Sequence, residues 1–366
     1  MRIVIIADSV DLQDAGIHFY TRNMIEALQT YTNFEVICIR HGRRHDIQFE
    51  NEVLVKPLLP FLNKDPFRIF WSVPRAIRKL NPDFVIEPAH FGPFNLPVNI
   101  KRITIIHDLT PIKFPQWHKL LSAKLQKLFL PSLMRRAYKV IVNSENTLAD
   151  LHYFYPVTSQ KAVCIYPGVN PFFFSAEKKI PSQKQSYFLS TGTIEPRKNL
   201  QKLLTAYTIF RRSHKKYFKL IIVGGKGWKS EEFYMQLKSH PFRDDIELRG
   251  YVTDAELKEL YANATAFVYP SLYEGFGFPL VEAMVCGAPC IVSRISSLPE
   301  LGGDAVIYFN PYSAGELSEK MKLVASSPDL QNELIKKGFE QVRKFSWSKF
   351  AARFDSEIIH TPNQIS

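Results

Sequence analysis

The chain lacks the features that would place it in several large classes. No apolar run approaches the roughly 20 residues a membrane-spanning helix requires. Cysteine is scarce: Cys38, Cys164, Cys286 and Cys290 are the only four in 366 residues. None belongs to a C-x-x-C array or lies at metal-ligand spacing from histidines, so a disulfide scaffold and a zinc site are both disfavoured. Buried thiols in a reducing cytoplasm are the plainer reading. There is no G-x-G-x-x-G and no G-x-x-x-x-G-K-[ST], which removes the Rossmann dinucleotide and P-loop classes. No D-x-D pair or histidine cluster suggests a bound metal. The opening MRIVIIADSVDLQDAG has only five or six apolar residues before its acids, so it reads as a strand and not as a signal peptide.

Acid is missing from one long stretch. Between Leu109 and Ser144 there is no Asp or Glu, yet Lys113, Lys119, Lys124, Lys127, Arg135, Arg136 and Lys139 all occur, in a chain of net charge +12. Such a balance asks for an anionic partner. Apolar residues recur at 120, 121, 125, 128 and 129, a helical spacing, so a helix here carries basic flanks. It can lie on an anionic membrane surface through Lys119, Lys124, Lys127, Arg135 and Arg136. It can equally pack its apolar face on a sheet and leave the lysines solvated. Nucleic acid is disfavoured, because no recognition motif accompanies the charge.

Strand and helix patterns alternate along the whole chain. RIVIIA, FEVICI, DFVIE, RITIIH and YKVIVN are strands of nearly continuous Val and Ile, the kind that sits in a sheet covered on both faces. Near Tyr166 the pattern breaks into a segment rich in Pro, Ser, Lys and Gln. The same grammar then restarts with YFLST, KLIIVG, TAFVYP and PCIVS, separated by helices such as NLQKLLTAYTIFRR and FPLVEAMVCG. In VTDAEL, Thr253 and Glu256 are spaced as a capping box. The expected fold class is α/β, with two doubly wound parallel-sheet domains facing a cleft. The expected boundaries are 1–170 for the first domain, 171–186 for a linker and 187–345 for the second. A last helix within 346–366 is expected to pack back on the first.

In open parallel sheets ligands sit beyond the carboxyl ends of strands, and the chemistry-bearing residues cluster there. LSTGTIEPRKNL follows one strand and sets Arg197 and Lys198 at the mouth of a helix, where a phosphate would bind. A solvated turn with Glu195 neutralising one cation is the alternative. SLYEGFGFPLVEAM follows another strand and holds Glu274 and Glu282 on either side of Gly275, Gly277 and Pro279. Two carboxylates at that span can each hold a hydroxyl-rich group, with a phosphate on the glycine turn between them. Paired carboxylates also suit glycoside hydrolysis, which has no need of the neighbouring cations. His107 ends the strand of IIHDLTP, and Gly16 stands where a helix begins after the first strand. Each alone is a weak signal.

These segments resemble the group 1, or family 4, retaining glycosyltransferases of the GT-B fold. The likeness is carried by GTIEPRKN, by the E-x7-E spacing from Glu274 to Glu282 within EGFGFPLVEAM, and by GAPCIVSRISSLPEL. AGIHFYTRNMIEAL, IHDLTP, VNSENTLADL and YPGVNPFF add weaker matches, so the likeness runs over about residues 1–310. It implies a nucleotide-sugar donor held mainly by the second domain. Glu282 would bind the ribose hydroxyls and Glu274 the donor sugar. The amides around Phe276 to Leu280, in the stretch of Gly275, Gly277, Phe278 and Pro279, would help to place sugar and phosphates, beside Gly192, Thr193 and Glu195. Arg197 and Lys198 would neutralise the departing pyrophosphate, Gly16 would add an amide, and His107 would touch the transferred sugar.

Many relatives carry arginine where this chain has Thr193, and a double glycine where it has Ala15–Gly16. The resemblance further implies a metal-independent, retaining enzyme with no cofactor. HDLTP, GTIEPRKN and SLYEGFGFP look most like the mannosyltransferase branch, which makes GDP-mannose the first donor; rhamnose, glucose and N-acetylglucosamine donors are alternatives. The acceptor would be a glycan or lipid-linked glycan of bacterial surface polysaccharide. The place would be the cytoplasm, peripheral on the inner face of the plasma membrane. A non-catalytic, two-domain sugar-binding protein is the rival from another class.

Overall fold

The computed structural model describes the chain except for residues 13–14, 43–46, 57–66, 90–94, 119, 175–183 and 360–366. It divides into two compact units. The first comprises Met1–Ile112, Leu121–Gly168 and Phe345–Ser366, and the second Lys113–Leu120 and Val169–Lys344.

The first unit holds β1 (Arg2–Ile6), β2 (Glu35–Arg40), β3 (Glu52–Leu54), β4 (Phe84–Glu87), β5 (Lys101–Ile106), β6 (Lys139–Val142) and β7 (Ala162–Cys164). They form a parallel sheet in the order β3-β2-β1-β4-β5-β6-β7. The second unit holds β8 (Gln185–Thr191), β9 (Lys219–Val223), β10 (Ile246–Leu248), β11 (Ala264–Tyr269), β12 (Cys290–Ser293) and β13 (Ile307–Phe309). Their order is β10-β9-β8-β11-β12-β13, again all parallel. Two doubly wound parallel sheets are the fold expected from the sequence. The central strands are apolar on both sides because helices cover both sides. Thr253 and Glu256 do form a reciprocal capping box at the helix Asp254–Asn263. Among the described residues no helix is long and apolar enough to cross a membrane.

The last helix, Trp347–Phe354, packs on the helix Ala15–Tyr31 of the first unit. Tyr20 meets Trp347 and Phe350 edge-on, with ring centroids 5.6 and 6.1 Å away. The join is tight: a Cβ on Gly168 would lie 2.4 Å from the Trp347 backbone nitrogen. Backbone cannot yield as a side-chain tip does, so Gly168→Ala should destabilise the fold by about 3 kcal/mol, the upper end for overpacking. A urea melt checks this, and an unchanged midpoint would contradict the close approach.

Candidate active site

In the second sheet β8 lies beside β11, where the strand order reverses. Such a switch point opens a crevice beyond the carboxyl ends of the two strands. β8 ends at Thr191 and leads through Gly192 into the 3-10 turn Pro196–Lys198, while β11 ends at Tyr269 and leads into the loop of Glu274. Hydrogen bonds join these two exits. Lys198 Nζ donates to Glu274 Oε1 at 2.7 Å, and Arg197 Nη1 donates to Glu274 Oε2. Arg197 also donates to Tyr273 O at 2.9 Å and to Glu195 Oε1 at 2.7 Å. Leu272 N donates back to Arg197 O at 2.8 Å. Asn199, in the left-handed region at φ 56°, donates to Pro270 O and Pro311 O at 3.0 and 2.9 Å. The turn is thereby sewn to the loop.

Glu274 is 6% exposed. Burial pushes its carboxyl up, but Arg197, Lys198 and the hydrogen bond from Lys198 outweigh that and hold it at about 2. Glu274 is thus a fixed anion between two cations. Its backbone is pinned as well: its amide donates to Ser296 Oγ, and Ser297 Oγ donates to its carbonyl, both at 3.0 Å. The Lys198 chain runs past Gly192, where a Cβ would lie 3.1 Å from Lys198 Cε at a glycine φ of 131°. Only glycine suits that spot.

Glu282 occupies different surroundings on the helix Phe278–Val285, which starts from Gly277 at φ 113°. Tyr261 Oη donates to Glu282 Oε2 at 3.4 Å and pairs with Thr191 Oγ1 at 3.0 Å. Burial pushes the Glu282 carboxyl up to about 7, Asp254 adds repulsion, and the Tyr261 hydroxyl pulls the other way. The two glutamates therefore differ in kind, one a locked anion and one poised to change charge near neutrality. Between them, Phe276 is buried and its carbonyl accepts from Ser297 Oγ at 2.6 Å. Pro279 has no N–H, and the Leu280 amide already donates to Gly277 O at 2.9 Å. Amide donation to a ligand is therefore confined to residues before Pro279. Thr193 and Gly275 flank the site, on the β8 turn and the Glu274 loop.

In the first unit Gly16 lies exposed near the start of the helix Ala15–Tyr31, with open space where a Cβ would be. His107 follows β5. Its Nδ1 lies 2.7 Å from Asn143 Nδ2 and its Nε2 2.7 Å from Pro88 O. The Asn143 side chain and the Pro88 carbonyl fix the orientation of the His107 ring. Lys124, Lys127, Arg135 and Arg136 are exposed on the helix Leu120–Arg136, and Lys119 lies outside the described residues.

The residues that sequence reasoning missed are the supports: Tyr261, Tyr269, Ser296, Ser297 and Asn143. Lys198 Nζ donates to Tyr269 Oη at 3.0 Å, and Ser297 is fully buried. Tyr269 and Asn143 do close or directly follow strands, so their positions carried a signal. The two serines lie inside GAPCIVSRISSLPEL, which carried the resemblance but no role for either.

A family model described as glycosyl transferases group 1 matches residues 173–341, and one described as glycosyltransferase family 4 matches residues 15–172. The chain is 28% identical to the O-antigen chain mannosyltransferase B of Escherichia coli, over 95% of this chain and 96% of that one. It is 27% identical to the O-antigen chain mannosyltransferase RfbU of Salmonella typhimurium, over 71% of this chain and 70% of that one. Among solved structures, WaaG, a glycosyltransferase involved in lipopolysaccharide biosynthesis, superposes with a TM-score of 0.73 at 15% identity, covering 99% of this chain and 100% of that one. A sucrose-phosphate synthase from Thermosynechococcus elongatus gives 0.76 at 19% identity, covering 97% and 98%. At these identities the two structures speak to the fold.

Proposed function

The chain belongs to the group 1, family 4 glycosyltransferases of the GT-B fold, and from that premise we propose that it transfers mannose from GDP-mannose, with retention, to a glycan or lipid-linked acceptor of bacterial surface polysaccharide. One observation carries the reading: a buried anion, Glu274, clamped by Arg197 and Lys198 at the switch point of the second sheet. That arrangement offers two cations to a leaving diphosphate and a fixed carboxylate to sugar hydroxyls. The relatives named as O-antigen mannosyltransferases support the choice of sugar.

On this reading Glu282 accepts from the ribose hydroxyls and Glu274 from the hexose. Arg197 and Lys198 stabilise the charge on the β-phosphate as the C1–O bond breaks. The acceptor hydroxyl attacks C1 from the face that GDP leaves, and a departing phosphate oxygen takes its proton. The two cations do the work of a divalent ion, so EDTA should leave turnover unchanged. The basic helix Leu120–Arg136 keeps the protein at the inner membrane face, where a lipid-linked acceptor would be presented.

A thermal-shift panel of nucleotide sugars tests the donor. Stabilisation of about 2.7 kcal/mol is expected at a hundredfold excess over Kd. GDP-mannose should give it and UDP-sugars should not; the reverse would overturn the choice of donor. The pH dependence tests Glu282. Its ionised form is the one that accepts two hydroxyl hydrogens, so donor affinity should weaken as pH falls below about 7, and Glu282→Gln should flatten the profile. Folding linkage has the opposite sense. The folded value lies above the usual 4.5, so this group's contribution to stability is present below 4.5 and is lost as pH rises toward 7.

A further inference from the structure

The second sheet is covered unevenly. Phe188, Leu220, Ile222 and Ile246 point to the face that packs under the helices Leu200–Ser213, Glu231–Lys238 and Ala314–Ser326. Alternate residues point the other way: Tyr187 pairs in register with Lys219 and Ile221 with Glu247, so these four share the opposite face. There the helix Asp254–Asn263 lies against β8 and β11. Toward the edge strand β10 the surface opens into a concavity of about 730 Å³. Ile221, Lys219, Glu247 and Arg249 line it from the sheet side, and Glu256 and Glu259 from that helix. Parallel sheets normally bury both faces, so an open and charged stretch of one is a departure.

Each charged group around the concavity has a partner. Glu247 accepts from Lys219 at 2.6 Å and from Arg249 at 3.0 Å. Glu256 accepts from the Thr253 amide at 2.8 Å and Glu259 from Asn263 at 3.2 Å. The Lys219, Glu247 and Arg249 side chains are still 45, 31 and 45% exposed, so part of their hydrogen-bonding capacity faces the opening. Two cations against three carboxylates leave no surplus that would hold a phosphate. What the lining offers is donors and acceptors side by side, which is what neighbouring hydroxyls use.

Tyr217 also lines the concavity and is 47% exposed. The Arg211 guanidinium lies 4.9 Å from its ring and 5.3 Å from that of Phe242, and Arg211 donates to Asp245 at 2.9 Å. The stack holds the phenol ring in place before any ligand arrives, which lowers the ordering cost of binding. An aromatic plate beside matched carboxylate and guanidinium groups suits a sugar. The C–H face of the sugar ring lies on the aromatic face, and its hydroxyls reach the polar groups.

We propose that this concavity binds a neutral oligosaccharide, as a glycan-holding site separate from the transfer site. The proposal rests on the reading above in naming the glycan, a mannose-containing acceptor or product. One helix serves both sites. Tyr261, which donates to Glu282, lies on the helix Asp254–Asn263, whose Glu256 and Glu259 are spaced to share another side. That helix is about 10 Å thick. Glycan held in the concavity is therefore kept at a high local concentration near the transfer site.

The deciding experiment is a titration of the full chain with α-linked mannotetraose, followed by amide chemical shifts in saturating GDP. Saturable shifts are expected at Ile221, Glu247 and Arg249. Tyr217→Ala should weaken the binding about tenfold, the upper worth of one aromatic contact, and Tyr217→Phe should keep it. A sulfated tetrasaccharide should bind more weakly, because carboxylates outnumber cations in the lining. No shift at these residues, undiminished binding by Tyr217→Ala, or tighter binding of the sulfated glycan would each overturn the site. So would sedimentation showing a dimer that Tyr217→Ala dissociates, since the concavity would then be an interface between copies. The melting shift with GDP-mannose is read on the same sample. A donor shift without tetraose binding refutes the glycan site alone, and tetraose binding without a donor shift refutes the transferase reading alone.

Discussion

Lys198→Ala should lower kcat by about 10²–10³-fold, the usual loss when one preorganised donor to a developing negative charge is removed. The ammonium is held by Glu274 at 2.7 Å and by the Tyr269 hydroxyl at 3.0 Å. It meets the leaving phosphate already oriented, so no reorganisation is needed as the bond breaks. Arg197 cannot move in to replace it, since its guanidinium is tied to Glu195, Tyr273 O and Glu274. KM for the donor should change much less than kcat, because the charge on the phosphate grows in the transition state. Steady-state kinetics with GDP-mannose make the measurement. A purely structural lysine predicts a lower melting temperature with kcat intact in the folded fraction. Lys198→Arg should not restore the rate, because the longer, planar head has no room between Gly192 and Tyr269.

Glu274→Ala carries the second large effect, and it falls on stability as well as on rate. Removing the carboxylate leaves Lys198 buried without its ion-pair partner, because the direct ion pair of Glu195 is with Arg197. Breaking one side of a buried pair costs about 3–5 kcal/mol. For a unit of this size that corresponds to a melting temperature lower by about 10 °C. The linkage agrees. A carboxyl held at about 2, against 4.5 unperturbed, contributes about 3 kcal/mol that is present above 4.5 and is lost as pH falls toward 2. Wild type should therefore lose stability through that acid window more steeply than Glu274→Ala. Calorimetric melts at pH about 3 and about 7 compare the slopes, and parallel slopes would mean that Glu274 is not the locked anion described.

Most of this architecture is legible in the amino-acid sequence, and the exceptions share a cause. β3, β7, β10 and β13 escaped notice in EVL, AVC, IEL and IYF. Each spans three residues and each closes an edge of its sheet. A three-residue segment shows no period, and an edge strand takes its register from the neighbour it joins. The segment Lys113–Leu120 falls inside the expected first domain, yet it belongs to the second unit, where Phe114 stacks on Trp117 and meets Tyr273 edge-on. Aromatic residues announce that something will cover them, but not which part of the chain.

The candidate site divides in the same way. Sequence alone determined that Arg197 and Lys198 follow a strand, that Glu274 and Glu282 bracket a glycine turn, and that both segments resemble one enzyme family. Those are local facts, set by spacing and backbone preference. Only the tertiary structure decided that Glu274 is the counter-ion of both cations while Glu282 stands apart beside Tyr261. It also decided that the two glutamates titrate on opposite sides of their ordinary value. Charge state in an interior depends on which groups lie within a few ångströms and how much water is left, and strand order brings those groups together across more than 70 residues of chain.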